Sequence, residues 1–584
     1  MKQPLYVCLV VAFFVGSVIS VAAADEETEA HSGRWVARLG PNTSPESFAE
    51  AHGLTYVGPV NDLLSDYHVF LHNPSHKNAR TREYTERTIS SHPEVKWMQR
   101  QVYRTQHKRG IVADTTDPQF NLQWHLKTTH DNLFDINIEE AWDAGYTGTG
   151  ITVSIVDDGL EWTHPDFLEA GQERDENPRR YISEASYDWN DSDDDPSPAL
   201  REDTHGTSCG GLSFAGRNNG KCGIGAAFNA SFSAQRLISA QITDDLEAAA
   251  LGYRTDVNYI YSSSWGPNDD GKRLEGPGPL TRATMERAIN EGRNGLGSIY
   301  VWAAGNGAGY YDNINYDGYA NSRFTIAVAA LTDQGTRPSY SEKGSAVLIS
   351  APSSPPGLTT TAVHENCRSG FGGTSAAAPL LSGVVAVILQ ANPNLGWRDV
   401  QDVLIRSAIK TDPTDAGWKL NGAGLPVNHQ YGFGRVDTSG AVKLATDPAR
   451  KNLPSPQKVV TGEYRALPSL LIPFQNNDGI NTTIPIDEDF CIEHVEVIFR
   501  AVHPSRGTLR VTLFAPSGLE SILADSHPDN GDNFYDWPFG SVRHWGETSK
   551  GTWTLNVVDT SRVAVQGLLN RWKLNIYGHA CSSR

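Results

Sequence analysis

Apolar residues follow two different periods along this chain, and the change between them falls near residue 446. Between residues 110 and 445, short apolar runs such as TVSIV and SIYVWAA end in glycine-containing turns and alternate with segments of helical length. Buried strands that alternate with helices predict a parallel sheet with crossover connections. After residue 446, segments such as HVEVIFRAV and GTWTLNVVD alternate apolar and polar positions, which predicts an all-β sandwich.

The first 109 residues form two further segments. A single lysine, an apolar run and Ala22-Ala23-Ala24 predict a cleaved signal peptide over residues 1–24. Residues 25–109 mix strand-like and helix-like runs, which indicates a small α+β domain. We see no other stretch that approaches the roughly 18 apolar residues of a spanning helix, so we expect a secreted or lumenal chain without a membrane anchor. Asn-x-Ser/Thr sequences add slight support for secretion at Asn42, Asn190, Asn229 and Asn481.

Charge separates the small N-terminal segment from the rest of the chain. Residues 25–109 carry 11 basic and 11 acidic side chains, whereas residues 110–584 carry 37 basic and 57 acidic ones. This acidic balance argues against binding to nucleic acid and indicates sites for cations or basic ligands. The change in charge falls next to Lys108 and Arg109, a paired basic sequence of the kind that proteases cleave.

Candidate chemistry lies in the 110–445 segment, where Ser375 stands among glycine and alanine in GFGGTSAAAP. A serine hydroxyl is a weak nucleophile and needs a base and an orienting acid. His205 in EDTHGTSCGG and Asp157, at the end of the run TVSIVD, are the candidates, and Asn306 ends the run SIYVWAAGN. Taken singly, each fits an ordinary structural role in a loop or turn. Functional side chains of parallel sheets gather at the carboxyl ends of strands, where Asp157 and Asn306 lie.

The four motifs VDDG, HGTSCGG, AAGN and GTSAAAP resemble the subtilisin-like serine proteases and occur in the order Asp, His, Ser that subtilisin uses. The resemblance implies that His205 is the general base for Ser375 and that Asp157 orients it. It also implies that the Asn306 amide and the Ser375 backbone N–H stabilise the oxyanion.

A narrower resemblance is to the kexin/furin group of proprotein convertases, through DDGLEWTHPD, SSSWGPNDDGK, DGYANS and the β-rich C-terminal segment. It implies a signal peptide over 1–24, an inhibitory propeptide and chaperone over 25–109, a subtilisin-like catalytic domain over 110–445 and a P domain over 446–584. The implied activity is calcium-dependent cleavage of precursor proteins after Lys-Arg or Arg-Arg, in the Golgi, secretory vesicles or outside the cell. We expect a monomer that removes its own propeptide after Arg109.

A Lys-Arg substrate needs carboxylates at each subsite, because buried cations are tolerated only when they are paired. The resemblance implies Asp269 and Asp317 for the arginine before the scissile bond, Asp158, Glu202 and Asp203 for the next basic residue, Glu247, Glu275 and Tyr319 for a basic residue two positions further upstream, and Gly266 in the same groove. The alternative for each carboxylate is a solvated surface acid.

Calcium is the predicted cofactor, since hard oxygen ligands suit it better than zinc. In YDWNDSDDDPSP, like-charge repulsion favours a bound cation, although a disordered acidic loop is the alternative. The three predicted sites comprise Asp188, Asp193 and Asp195; Asp117, Asp166 and Asn219 with main-chain groups near Gly216, Lys221 and Gly223; and Asp269, Asp312 and Glu342.

Five cysteines follow the signal segment, so at least one is free or pairs between chains. The resemblance implies a Cys222–Cys367 disulfide and a free buried thiol at Cys209, and it leaves the pairing of Cys491 and Cys581 open. A second disulfide of the family is absent, since Ile314 and Gly344 stand at its positions. His72 resembles the family's pH-sensing histidine, and Arg82 is a weaker candidate for a second cut.

Two rival functions share these features. A general secreted subtilase with loose specificity would have the same catalytic residues, and only the acidic subsites and the β-rich segment argue against it. A non-catalytic binding protein or chaperone would have no need of Asp157, His205, Asn306 and Ser375 together.

Overall fold

The computed structural model describes residues 31–41, 43–72, 89, 92–102, 107–108, 120–127, 134–169, 171–173, 177–562 and 564–581. The predicted signal peptide, Asp117, Arg82 and Arg109 lie outside these residues, and the side chains of His72 and Lys108 are not described. The helices are α1 (Pro45–His52), α2 (Glu139–Asp143), α3 (His205–Phe214), α4 (Asp244–Leu251), α5 (Pro279–Gly295), α6 (Thr374–Ala391), α7 (Trp397–Ser407) and α8 (Thr438–Thr446).

The N-terminal domain is one antiparallel sheet packed against α1. Its strands are β1 (His31–Leu39), β2 (Leu54–Pro59), β3 (Tyr67–His72), β4 (Val95–Val102) and β5 (His107–Lys108), and the first four form a sheet in the order β2-β3-β1-β4. Ser44 caps α1 by accepting the N–H of Ser47. Val36 and Val69 pack on Ala248 of α4 and Leu280 of α5, so this domain covers two helices of the central domain.

The central domain is a seven-stranded parallel sheet with helices around it. Its strands are β6 (Thr152–Asp157), β7 (Tyr187–Asp188), β8 (Ser231–Arg236), β9 (Ile260–Ser263), β10 (Trp265–Gly266), β11 (Ile299–Ala303), β12 (Thr325–Leu331), β13 (Ile349–Pro352), β14 (Leu358–Ala362), β15 (Asn366–Phe371), β16 (Lys419–Leu420) and β17 (Pro426–Val427). The sheet order is β13-β12-β11-β9-β6-β8-β7. From β6 the chain passes through β7 to β8 on one side of β6, and it then crosses to β9 on the other side. Ligands of such sheets bind at the carboxyl ends of the strands beside a reversal of this kind.

The helix α6 passes through the core of the central domain. It is long and apolar enough to cross a membrane by composition, but 89% of its 18-residue span is buried inside the protein. Helix α6 therefore fits the role of a core helix, and its N-terminal turn carries Ser375.

The C-terminal domain is a sandwich of two antiparallel sheets. Its strands are β18 (Lys458–Ile472), β19 (Ile480–Ile486), β20 (Cys491–Val502), β21 (Leu509–Phe514), β22 (Glu520–Ala524), β23 (Phe534–Ser541), β24 (Gly551–Asp559) and β25 (Gly567–His579). The sheet orders are β18-β25-β20-β23 and β19-β24-β21-β22. Cys491 and Cys581 form a disulfide between the ends of the first sheet's central strands. The predicted fold class, a parallel α/β sheet followed by a β-sandwich, is confirmed.

Candidate active site

The predicted acid and base are neighbours at the carboxyl edge of the parallel sheet. Asp157 is the last residue of β6, and His205 is the first residue of α3. Both Asp157 carboxylate oxygens lie 2.9 Å from His205 Nδ1, and the two side chains are only 1% and 4% exposed. A buried carboxylate at this distance holds Nδ1 protonated, which leaves Nε2 as the acceptor.

The pKa of His205 is raised well above its usual value. Burial lowers this pKa, but the Asp157 carboxylate and the Cys209 side chain together raise it by more. A base with a raised pKa favours the imidazolium form, which is the form that exists after His205 has accepted a proton.

Ser375 lies in the first turn of α6, where Pro379 alters the helix hydrogen bonds. Pro379 has no N–H, so it cannot bond to the Ser375 carbonyl four residues earlier. That carbonyl instead accepts the Ser264 hydroxyl at 3.2 Å and the Cys209 thiol at 3.6 Å. The Ser375 Oγ lies 3.4 Å from the Ser264 carbonyl. Side chains outside α6 therefore donate to the Ser375 carbonyl in place of the N–H that Pro379 lacks.

One buried thiol connects the three predicted catalytic residues. Cys209 Sγ lies 3.9 Å from Asp157 Oδ2, 3.8 Å from His205 Nδ1 and 3.6 Å from the Ser375 carbonyl. Burial raises the pKa of this thiol, which keeps it protonated and unreactive. Cys209 is the free cysteine of the described residues, and Cys222 is bonded to Cys367.

The Asn306 amide has one end fixed and the other end available. Its Oδ1 accepts the Thr374 backbone N–H at 2.9 Å and the Thr374 hydroxyl at 3.2 Å. Its Nδ2 is buried and has no hydrogen-bond partner among the described residues. A buried, unpaired N–H donor is costly in a folded protein, and it is favourable only where an acceptor arrives later. The arrangement suits an oxyanion that develops beside Ser375.

Replacing Thr374 by valine tests this arrangement, because valine keeps the shape and the backbone N–H but removes the hydroxyl. We expect kcat to fall about three- to tenfold with little change in KM, since one neutral hydrogen bond contributes about 0.5–1.5 kcal/mol. Thr374→Ser keeps the hydroxyl and should restore most of the rate. Equal rates for the valine variant and the wild type, measured at saturating substrate, would show that the hydroxyl does not orient Asn306.

Carboxylates converge behind the Asn306 loop. One oxygen from each of Asp269, Asp312 and Glu342 lies within 4.8 Å of the others. The N–H of Asn306 donates to Asp269 Oδ2 at 2.8 Å, and the N–H of Gly307 donates to Glu342 Oε1 at 3.0 Å. Like charges this close repel one another unless a cation joins them, and an all-oxygen set fits calcium. The residues of this predicted site are thus brought together.

A second predicted site is assembled in part. Asp166 Oδ1 is buried with no hydrogen-bond partner among the described residues, whereas Oδ2 accepts the Gly223 N–H at 3.3 Å. Asn219 Nδ2 donates to the Asp166 carbonyl at 3.1 Å, and Asn219 Oδ1 accepts the Lys221 N–H at 3.0 Å. Burial raises the pKa of Asp166 to about 7. An orphaned carboxylate oxygen of this kind fits a cation, and Asp117, the other predicted acid, lies outside the described residues.

In the acidic loop, where Asp188, Asp193 and Asp195 were predicted to bind calcium, a buried arginine lies among the acids. Arg236 Nη1 lies 2.7 Å from Asp188 and 2.8 Å from Asp191, and its Nη2 lies 3.1 Å from Asp203. Arg236 was not among the predicted site residues. Its place at the end of β8 could have indicated its contact with Asp188, because the carboxyl ends of neighbouring parallel strands meet.

The remaining acids of that loop point elsewhere. Asp195 Oδ1 accepts the Trp162 indole N–H at 3.0 Å and the Ser197 hydroxyl at 2.7 Å, while Asp193 Oδ1 accepts the Asp195 N–H at 2.9 Å. Among the described residues, these aspartates do not form a cluster of three converging ligand atoms. A calcium role for Asp188, Asp193 and Asp195 stays a prediction.

The acids predicted for the second substrate residue differ in exposure. Asp158 is buried, and its carboxylate accepts the N–H of His205 at 3.0 Å and of Gly206 at 2.7 Å, so it caps α3. Asp203 is buried against Arg236, and Glu202 is exposed. Asp158 thereby fixes the backbone at His205, the predicted base, a contact that the motif alone does not reveal.

The residues predicted for the upstream basic residue lie together with Asp317, which was predicted for the arginine before the scissile bond. Glu247 Oε2 accepts the Tyr319 hydroxyl at 2.6 Å, and both side chains are fully buried. Asp317 Oδ1 accepts the Tyr319 N–H at 2.8 Å, and its backbone forms a parallel bridge with Glu275. These four residues thus form one region beside β10.

The end of the N-terminal domain occupies the groove next to this region. Strand β5 pairs with β10 in antiparallel register, with Lys108 opposite Trp265 and His107 opposite Gly266. An extended peptide that adds a strand to a sheet edge is a general mode of peptide recognition. Gly266, predicted to bind substrate, therefore pairs with the residues that precede the predicted cleavage site.

The C-terminal domain contains a second hydrogen-bonded chain of serine, histidine and acid, which shows that such a chain does not by itself indicate an active site. Ser521 Oγ lies 2.9 Å from His544 Nε2, and His544 Nδ1 lies 3.2 Å from Glu547 Oε2. The three side chains are 0–3% exposed, and Ser521 also bonds to Ser541. We interpret this buried chain as structural.

Comparisons with known proteins agree with this geometry. Residues 148–434 match the model of the subtilase family, residues 34–109 the peptidase S8 pro-domain and residues 492–576 the proprotein convertase P-domain. Furin of Rattus norvegicus is 35% identical over 97% of this chain and 71% of its own length. Human proprotein convertase subtilisin/kexin type 4 is 36% identical over 92% of this chain and 71% of its own length.

A solved structure shows the same fold. The serine protease of Aeromonas sobria, crystallised with its chaperone, superposes with a TM-score of 0.70 at 23% identity and covers 79% of this chain and 95% of its own. The family models and the furin relatives together decide the family. This chain belongs to the subtilisin-like proprotein convertases and is a serine endopeptidase of that type.

Proposed function

We propose that this protease processes precursor proteins after paired basic residues and depends on calcium. The observation that carries the proposal is the pairing of β5 with β10, which places His107 and Lys108, the residues before the predicted cut after Arg109, beside Gly266 and Trp265. Trp265 contacts Tyr319, which is hydrogen-bonded to the acids Glu247 and Asp317. A propeptide that ends in this groove resembles a substrate in its recognition. The same contact supports its role as an intramolecular inhibitor and its removal after Arg109.

The catalytic steps follow from the site. His205 Nε2 accepts the proton of Ser375 Oγ as the oxygen attacks the scissile carbonyl, and Asp157 stabilises the resulting imidazolium. Asn306 Nδ2 and the Ser375 N–H donate to the oxyanion. His205 then gives its proton to the leaving amine, and water releases the acyl group by the reverse sequence.

Specificity for basic residues rests on the acids of the groove. Asp269 and Asp317 are assigned to the arginine before the scissile bond, and Glu247 with Tyr319 to a basic residue upstream. A buried arginine is tolerated only beside a carboxylate, and an apolar residue there would leave the carboxylates desolvated and unpaired. The acidic balance of residues 110–584 supports the same substrate class.

Calcium has two fitting sites. Asp269, Asp312 and Glu342 would hold one ion, and Asp166 with Asn219 would contribute to the other. A bound ion would neutralise the carboxylate cluster and so stabilise the loop that carries Asn306. The secretory pathway, where the furin relatives act, supplies calcium and suits the disulfides of this chain.

Two matched peptides test the proposal, one ending in Lys-Arg and one in Ala-Leu before the reporter group. With purified mature protein in calcium, we expect cleavage of the Lys-Arg peptide to exceed that of the Ala-Leu peptide at least 100-fold. The Ala-Leu peptide would leave carboxylates of the protein buried without a cation, and an unpaired buried charge costs about 3 kcal/mol or more. A chelator should abolish the activity, and added calcium should restore it.

The controls separate the rival functions. Ser375→Ala protein serves as the blank for contaminating proteases. Equal cleavage of both peptides would assign the chain to general proteolysis, and cleavage that persists in chelator would remove calcium from the proposal. No cleavage by protein shown to be free of its propeptide would favour a binding role.

A further inference from the structure

Nothing in the catalytic chemistry uses the four Asn-x-Ser/Thr sequences, and the structure separates those that it describes. Asn42 lies outside the described residues, whereas Asn190, Asn229 and Asn481 have defined surroundings. The folded chain accommodates a bulky surface glycan where the fold does not hold the side-chain Nδ2 by a hydrogen bond and where the surface leaves room. These two requirements rank the three asparagines.

Asn190 and Asn229 use their amide nitrogens within the fold. Asn190 Nδ2 donates to the Leu237 carbonyl at 2.7 Å, and its Oδ1 accepts the Ser239 N–H at 3.3 Å. This half-buried side chain lies beside the Arg236 cluster, so a glycan there would break a buried network. Asn229 Nδ2 donates to Thr147 Oγ1 at 2.9 Å. Both nitrogens are therefore engaged.

Asn481 is exposed, as Asn229 is, but it differs from both in its amide nitrogen. It is exposed on β19, where Asn481, Thr483 and Pro485 face solvent and Thr482, Ile484 and Ile486 face the core. Its Oδ1 accepts the Nδ2 of Asn556, the residue directly opposite on β24, at 3.1 Å. Its own Nδ2 makes no hydrogen bond to any described residue. The neighbour thus fixes the oxygen and turns the nitrogen toward solvent.

The position of the strand supplies the room. Strand β19 is the edge of its sheet, so its outer side has no strand beside it. Exposed edge strands can add a second chain, and proteins cover or interrupt them. A glycan on Asn481 would lie over this edge without displacing a packed residue.

We propose that Asn481 is an N-glycosylation site of the C-terminal domain and that Asn190 stays unmodified. An activated oligosaccharide diphosphate of the secretory pathway is the donor. The Asn481 Nδ2 forms a bond to the anomeric carbon and loses one proton, and the diphosphate leaves with the electrons of the broken carbon–oxygen bond. The proposal rests on entry into the secretory pathway, which is part of the proposed function.

The test uses the full chain secreted from eukaryotic cells. Release of glycans with a peptide-N-glycosidase in ¹⁸O-water converts a glycosylated asparagine to labelled aspartate, which mass spectrometry locates. We expect the label at Asn481 and none at Asn190. Asn481→Gln and Thr483→Val should each remove the mass of one glycan, the second without changing the asparagine, whereas Ser192→Ala at the Asn190 sequence should change nothing.

Several results would overturn the proposal. These are secreted protein with an unmodified Asn481, a label at Asn190, or recovery of the whole chain from the cytosol. Cleavage of the Lys-Arg peptide by the same protein preparation tests the proposed function independently, because the glycan mass does not depend on catalysis.

Discussion

Ser375→Ala protein is expected to lose essentially all turnover and to keep its N-terminal domain attached. In subtilisin, removal of the serine or the histidine lowers kcat by about 10⁶, and the same hydroxyl, base and oxyanion donor are present here. The measurement is the cleavage rate of the Lys-Arg peptide, together with the mass of the purified chain. A variant whose chain is still cut after Arg109 inside cells would show that another protease performs the maturation.

Asn306→Ala tests the predicted oxyanion donor while the residues of the predicted triad stay unchanged. It leaves Asp157, His205 and Ser375 in place and removes only the Nδ2 donor and the Oδ1 acceptor of Thr374. The expected loss in kcat is about 10²–10³, the magnitude measured for the equivalent subtilisin asparagine. KM should change little, because the oxyanion forms only in the transition state. A large change in KM with an unchanged kcat would place Asn306 in substrate binding instead.

Glu493→Ala is expected to destabilise the contact between the catalytic and C-terminal domains by about 3–5 kcal/mol, the usual effect of breaking a buried ion pair. Glu493 is fully buried and accepts two hydrogen bonds from Arg398 of α7, one of them 2.7 Å long from Nε. It also accepts Gln457 Nε2 at 2.6 Å and His579 Nδ1 at 2.7 Å. Removing the carboxylate leaves the Arg398 charge buried and unpaired.

Chemical denaturation and limited proteolysis of the 447–457 linker measure this effect. Glu463→Ala, which removes surface salt bridges to Arg465 and Arg571, is the control and should cost no more than about 1 kcal/mol. Equal stability of the two variants would show that the domains hold together without Glu493. Replacing both Arg398 and Glu493 by apolar residues should recover most of the loss, because no unpaired charge remains.

The same pair predicts how stability changes with pH. Burial raises the pKa of Glu493, but Arg398 and His579 lower it by more, to about 2. A carboxylate with a lowered pKa contributes stability that is fully present above its unfolded pKa of about 4.3. This contribution is lost as the pH falls from that value toward 2, so the contact remains intact in mildly acidic compartments.

Local patterns were sufficient to predict the fold class, and they also supplied the candidate catalytic residues, whose roles stay predictions. Alternation of buried strands with helices gave the parallel sheet, since each strand is covered on both faces. Asp157 ends β6, Asn306 lies in the loop after β11, and small residues surround Ser375, so these candidates are visible in short segments. The resemblance to a family then joined segments that lie 48 to 218 residues apart.

Contacts between distant segments were not visible in this way. Arg236 lies among Asp188, Asp191 and Asp203, where the acidic loop alone had predicted calcium. Asp158 caps α3 rather than facing open solvent, and Thr374 fixes the Asn306 amide. Each depends on which side chains meet when the strands align.

The sequence by itself determined the fold class and supplied the candidates for the reacting groups, because these depend on local periodicity and on residue type. The tertiary structure decided which acids lie close together, which are neutralised by arginine, and which asparagine nitrogen stays free. It also decided that Cys491 pairs with Cys581. The physical reason is that charge pairing and hydrogen bonding act over a few ångströms in space, whatever the separation along the chain.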